Sequence, residues 1–155
     1  AIRTHGGVRR HHHTVVGMNG RFDTLQAAVL LGKLPHFDGE VAQRAALGAR
    51  YTHRLGDVCT TPTVAPGNEH VYAQYTIRVP DRDVLGARLQ EKGIPTAVYY
   101  PKCLHEQPVF SSLGYQWGDF PESEKASREV ISLPMHPFLS EGDQDRIIDA
   151  VRTSL

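Results

Sequence analysis

The chain has 155 residues, 40% hydrophobic and 22% charged, with 17 basic side chains against 17 acidic ones. That is enough for one compact domain with a real core and too little for two large ones. The balanced charge gives no basic field for nucleic acid or an anionic membrane surface, no apolar run is long enough to span a bilayer, and the opening residues do not read as a secretory signal. Cys59 and Cys103 show neither a disulfide framework nor a zinc-type spacing, so reduced thiols and a cytoplasmic location are expected. Ala1-Ile2-Arg3-Thr4-His5-Gly6-Gly7 opens the chain without a Met and reads as the interior of a longer sequence, with processing or a boundary as the plainer alternative.

Residues 1–20 are polar, basic and glycine-rich around Arg9-Arg10-His11-His12-His13, with no helical or strand period, so a loop is expected there. From Asp23, a capping residue, the pattern turns helical: Leu25, Ala28, Val29 and Leu31 or Gly32 share a face, and Pro35 stops or kinks the helix. A second helix carries Phe37, Val41, Arg44, Gly48, Tyr51 and Leu55 on one continuous face, with Gly56 as its stop. Thr60-Thr61-Pro62 and Ala65-Pro66-Gly67-Asn68 form a connector, which predicts a division into a loop and helical arm, 1–56, and a small α/β domain, 57–155.

Alternation of Val71, Ala73, Tyr75, Ile77 and Val79 predicts a strand ended by Pro80. Asp81 caps a helix through Lys92, closed by Gly93, and Ile94 to Tyr100 reads as a second strand or extended segment. A loop from Pro101 to Gly118 leads to a helix with Pro121 in its first position, then a short β-like run, Val130 to Leu133. Ser140 to Asp143 approximates a capping box before a last helix whose apolar face is Ile147, Ile148 and Val151. The expected class is α/β (α+β): a helical arm followed by a small mixed sheet with helices packed on it.

Four segments bear chemistry. Gly17-Met18-Asn19-Gly20-Arg21 runs into a helix N-terminus, where unpaired N–H groups and the dipole favour an anion; an ordinary cap with a solvated arginine is the alternative. His11-His12-His13 cannot turn three neighbours toward one metal, and reads as a loop whose positive potential grows as pH falls. Cys103 and His105 invite a nucleophile reading, but no oxyanion element or orienting third group accompanies them. His136 lies between two prolines and reads as structural.

Gly17-x-Asn19-x-Arg21 with Gln26-Ala27-Ala28 resembles the signature of the nucleotide-sugar aminotransferases of the DegT/StrS family, which have the fold-type-I architecture of aspartate aminotransferase. Further matches keep their order along the chain: Arg44 and Tyr51, Gly93-Ile94-Pro95-Thr96, Tyr99-Tyr100-Pro101, Leu104-His105 with Gln107-Pro108, Phe120-Pro121 with Glu124, and Ser132 to Pro137. The resemblance implies the C-terminal part of a pyridoxal 5'-phosphate enzyme that moves an amino group, from glutamate, to a keto nucleotide sugar such as a UDP-linked 3-keto glucuronic acid, in surface-polysaccharide biosynthesis of the lipopolysaccharide or O-antigen kind. It implies a homodimer with shared active sites. There Asn19 would reach the phosphate of the partner's cofactor, and Arg21, Tyr99, Tyr100 and His105 would lie near the sugar substrate. Some members read His-Tyr-Pro where this chain has Tyr99-Tyr100-Pro101, which bears on Tyr99 more than on Tyr100.

Amino transfer also needs a lysine that holds the cofactor. Lys33 and Lys125 read as parts of amphipathic helices, Lys92 as a helix end, and Lys102 as a loop residue without the family's lysine context, so by the resemblance that lysine would lie upstream of Ala1. No catalytic residue is therefore assigned to this chain, and alone it is expected to be inactive. The competing reading is a stand-alone module that binds a nucleotide sugar or a protein without catalysis.

Overall fold

A computed structural model describes residues 1–155, and the chain divides into two compact units, Ala1–Asp38 and Gly39–Leu155. In the first, strands β1 (Gly7–Arg9) and β2 (His12–His13) pair antiparallel through an irregular register, Gly7 opposite His13 and Arg9 opposite His12. A bridge between Thr4 and Asn19 extends the ribbon. The loop expected at 1–20 is thus a small β-ribbon, too short and too exposed for an apolar alternation to announce it. Two of its glycines are imposed by backbone approach. A Cβ on Gly6, at φ +75°, would lie 1.7 Å from the carbonyl oxygen of Val15, and one on Gly17 would lie 2.0 Å from the nitrogen of Gly6.

Helix α1 (Thr24–Lys33) starts at Asp23, whose carboxylate accepts the N–H groups of Leu25 at 2.9 Å and Gln26 at 3.1 Å. None of its residues is buried, so the face predicted from Leu25, Ala28 and Val29 is solvent-facing in this chain. Pro35 opens a single 3₁₀ turn, Leu34–His36, which leads into α2 (Phe37–Leu55).

In the second unit α2 buries Gly48, Tyr51 and Leu55, the C-terminal half of the predicted face. Strands β3 (Tyr75–Arg78) and β4 (Val130–Leu133) pair antiparallel, Tyr75 opposite Leu133 and Ile77 opposite Ile131. Helices α3 (Arg82–Glu91), α4 (Pro121–Glu129) and α5 (Glu141–Arg152) complete it. Tyr51, Leu55, Tyr75, Ile77, Leu85, Leu89, Ile131, Ile148 and Val151 form one core. Each fully buried aliphatic chain there contributes about 1.5–3 kcal/mol against its exposed state. Tyr51 and Leu55 lie in the same core as Ile77 and Ile148, so α2 packs with residues 57–155 within the unit Gly39–Leu155.

Four local expectations change. The sheet is antiparallel, not mixed, with single bridges adding Thr60 beside Arg78 and Ala97 beside Ser132. The strand predicted from Val71 begins only at Tyr75, because Tyr72 takes φ 44° and turns its ring over α2. Ile94–Tyr100 makes one bridge rather than a strand, since Pro95 and Pro101 have no N–H to give a ladder. Asp81 precedes α3 without a side-chain capping bond, whereas Ser140 Oγ caps α5 through the N–H of Asp143 at 3.1 Å.

Candidate functional site

Residues flagged from the sequence fall in both units. In the first, the Gly17-to-Arg21 stretch follows the ribbon, and the side chains of Asn19 and Arg21 are exposed and make no hydrogen bond or ion pair within the chain. The start of α1 itself is closed by Asp23, so its N–H groups are not an open anion site; what the segment offers a ligand is the amide of Asn19 and the guanidinium fork of Arg21. His11, His12 and His13 lie on the exposed ribbon. His13 Nδ1 lies 3.0 Å from the carbonyl oxygen of His5, Arg10 Nε donates to His11 Nε2 at 3.2 Å, and no three ligating side chains converge on a metal position.

In the second unit, Tyr99, Tyr100 and His105 are brought together around one cleft of about 800 Å³. Its walls are mainly aromatic and aliphatic, with Leu104, Phe110, Tyr115 and Phe120 among the lining side chains. Tyr100 is the more open of the pair, 73% exposed against 44% for Tyr99, and the two rings meet edge to face with centroids 5.9 Å apart. Exposed rings with free hydroxyls suit a ligand that presents a flat or apolar surface with polar edges.

His105 differs from the tyrosines. Its side chain is buried, its Nε2 lies 3.1 Å from Oε1 of Glu124, and its ring packs on Phe120. It reaches the cleft as part of the wall. Cys103, next to it, is no activated nucleophile: desolvation first, and the nearby carboxylates of Glu106 and Glu124 after it, push its thiol pKa up, partly offset by a hydrogen bond with Ser127.

Two residues of α2 hold the segments that flank β3 and β4. Arg44 Nη1 donates to the carbonyl oxygens of Tyr72 at 3.0 Å and Met135 at 3.5 Å, and the Tyr51 hydroxyl donates to that of Pro134 at 3.0 Å. These two helix residues therefore fasten the Leu133-Pro134-Met135-His136-Pro137 turn to β3's approach. His136 itself is exposed, its carbonyl closing the turn through the N–H of Leu139. Among the lysines, Lys92 is tied to Thr153 Oγ1 and Ser154 Oγ, both at 2.7 Å; Lys33 and Lys125 stand on exposed helix surface, and Lys102 borders the cleft. Glu124 appeared in the sequence only as part of a motif. Its position, four residues into a helix preceded by a residue with no capping side chain, was the available signal for its role.

Comparison with known proteins bears on the whole chain. The sequence pattern of the DegT/DnrJ/EryC1/StrS aminotransferase family matches residues 1–152. The chain is 49% identical over 154 residues to a protein of Geobacillus stearothermophilus described as a pleiotropic regulatory protein, covering 97% of this chain and 41% of that one. It is 45% identical over 139 residues to the UDP-2-acetamido-2-deoxy-3-oxo-D-glucuronate aminotransferase of Pseudomonas aeruginosa, covering 89% and 38%. The crystal structure of a DegT DnrJ EryC1 StrS aminotransferase from Brucella abortus superposes with a TM-score of 0.90 at 41% identity, over 98% of this chain and 41% of that one. The chain thus spans about two-fifths of the length of the relatives it matches.

Proposed function

From its place in the DegT/DnrJ/EryC1/StrS aminotransferase family, to which this chain belongs, we propose that it is the C-terminal segment of a nucleotide-sugar aminotransferase and completes the active site of a partner subunit. The reaction would carry an amino group from an amino acid, glutamate by the family resemblance, to a keto sugar on UDP. The observation that carries the reading is the free pair Asn19 and Arg21: two polar side chains held at the end of a ribbon, exposed, and unused by their own unit.

Pyridoxal phosphate, the family's cofactor, supplies the electron sink for amino transfer when bound. This chain's residues do not make a self-contained pocket for it. Lys102 is the lysine at the cleft, and the nearby carboxylates are engaged: Glu106 Oε2 accepts the N–H of Cys103 at 2.8 Å, and Glu124 is buried against His105. The fit is instead that of a contributor. Asn19 donates its amide N–H to a phosphate oxygen, and Arg21 grips a carboxylate bidentately, which suits a uronic acid ring. The likeness to the Pseudomonas aeruginosa enzyme supports a keto-glucuronate as the substrate class. Such an enzyme acts on activated sugars destined for surface polysaccharide.

The test is the purified product of the complete reading frame, given a UDP-3-keto glucuronate and glutamate, with product mass and borohydride trapping of the cofactor read together. Formation of the amino sugar with the cofactor on a lysine outside residues 1–155 supports the reading. Cofactor trapped on Lys33, Lys92, Lys102 or Lys125 contradicts it.

A further inference from the structure

Glu124 turns its carboxylate back toward the start of α4. There Oε1 accepts the backbone N–H of Gly118 at 2.8 Å and of Phe120 at 3.3 Å, and lies 3.1 Å from His105 Nε2. The Glu124 side chain is 3% exposed and that of His105 7%. Phe120 occupies the cap position of α4 and has no polar side chain; Glu124 reaches back from inside the helix to the cap residue's own N–H, as the acidic member of a capping box does. The Phe120 ring then lies against the His105 imidazole, centroids 4.9 Å apart, and edge-on to Tyr115 at 5.1 Å. One oxygen thus joins the Leu104–Glu106 turn, the Gln116–Phe120 stretch and α4, all of which border the cleft.

The same oxygen decides where His105 carries its proton. An acceptor already taking two backbone N–H groups meets Nε2 as a third donor, so a neutral imidazole there bears its hydrogen on Nε2 and leaves Nδ1 as a bare acceptor. Nδ1 has no hydrogen-bond partner in the chain, and no buried side-chain nitrogen lacks one, so Nδ1 keeps contact with solvent. His105 lines the cleft.

We propose that Glu124 is a positioning residue of the cleft: it holds His105 as the Nε2–H tautomer, so that Nδ1 offers an acceptor to a hydroxyl of a bound ligand, and it sets the Tyr115–Phe120 wall. The proposal rests on the reading above for the ligand, a sugar hydroxyl of the nucleotide sugar. The tautomer does not depend on that reading.

Two readouts separate the parts. Nitrogen-15 NMR of histidine-labelled full chain, with His105 assigned through His105→Gln, reports the tautomer directly. The Nε2–H signature is expected in the wild type, retained in Glu124→Gln, whose amide oxygen still accepts, and lost to a tautomer mixture in Glu124→Leu. In the complete enzyme, Glu124→Leu is expected to raise KM for the nucleotide sugar about tenfold, and Glu124→Gln to bring it back toward wild type. Should Glu124→Leu not fold, the wild-type and Gln spectra still decide the tautomer. An Nδ1–H signature in the wild type, or one unchanged in Glu124→Leu, overturns the proposal. An intact tautomer result with no turnover of any nucleotide sugar overturns the functional reading instead.

Discussion

The hydroxyl of Tyr51 on α2 donates to the carbonyl oxygen of Pro134 at 3.0 Å, joining residues far apart in sequence across the core. The Tyr51 ring is fully buried and stacks on Tyr75 with centroids 4.8 Å apart. Tyr51→Phe keeps that packing and removes only the hydrogen bond. The expected loss is about 1 kcal/mol, read as a lower urea midpoint with unchanged slope. A change in slope would mean that the turn after β4 had come loose as well.

Gly48 is a second point where α2 has no freedom. A Cβ there would lie 2.5 Å from ring carbons of Tyr72. Helix propensity favours Ala by about 1 kcal/mol, but overpacking against a buried ring costs about 1–3 kcal/mol. Gly48→Ala is therefore expected to destabilise, and Gly48→Ala combined with Tyr72→Leu to recover part of the loss. Stabilisation by the single change in a denaturant titration would show that the ring moves aside freely.

Alkaline pH should weaken the second unit. Burial, with the charge of Asp57 adding to it, pushes the Cys59 thiol from 9.0 up to about 11. Burial pushes Tyr75 from 10.0 up to about 12, against a hydrogen bond from Thr52, and pushes Tyr51 higher still. Each group holds its proton longer folded than unfolded, so the unfolded chain binds fewer protons above the ordinary values and stability falls with rising pH. The loss is expected to begin near pH 9 with the thiol and to steepen above pH 10 with the tyrosines; Cys59→Ala should delay its onset. Asp57 and Asp145 work the other way. Arg152 and Arg50 hold their carboxyls low, so their contribution is present above the ordinary carboxylate range and is lost as pH falls below that range through the lowered folded values. Thermal melts of wild type and Cys59→Ala across pH 8–12 check the sign; a melting temperature that rises above pH 10 would contradict it.

What the sequence made legible follows from period and burial. The face of α2 could be read because Gly48, Tyr51 and Leu55 do enter a core, and the sheet partners because Tyr75 and Ile77 alternate into it. The ribbon at Gly7–His13 could not, since both its faces are exposed and its register is kept by backbone approach at Gly6 and Gly17. The early start assigned to β3 failed at Tyr72, where one left-handed residue overrides a clean alternation. Around the cleft, Tyr99, Tyr100 and His105 were marked by resemblance, yet their different exposures were not. Nor was Glu124's hold on three segments, because a buried carboxylate is recognised by the donors that reach it, and those come from the folded loop.

The claim that this segment serves a neighbour's site is tested most directly by subunit complementation in the complete enzyme. One protomer carries Asn19→Ala with Arg21→Ala; the other carries an Ala in place of the lysine that holds the cofactor. Each homodimer is expected to be inactive. Mixed dimers place one intact lysine opposite one intact Asn19 and Arg21, so co-folded subunits should regain roughly a quarter of wild-type activity, as random pairing in a two-fold dimer gives. Activity that stays at the level of the separate inactive homodimers would contradict the account.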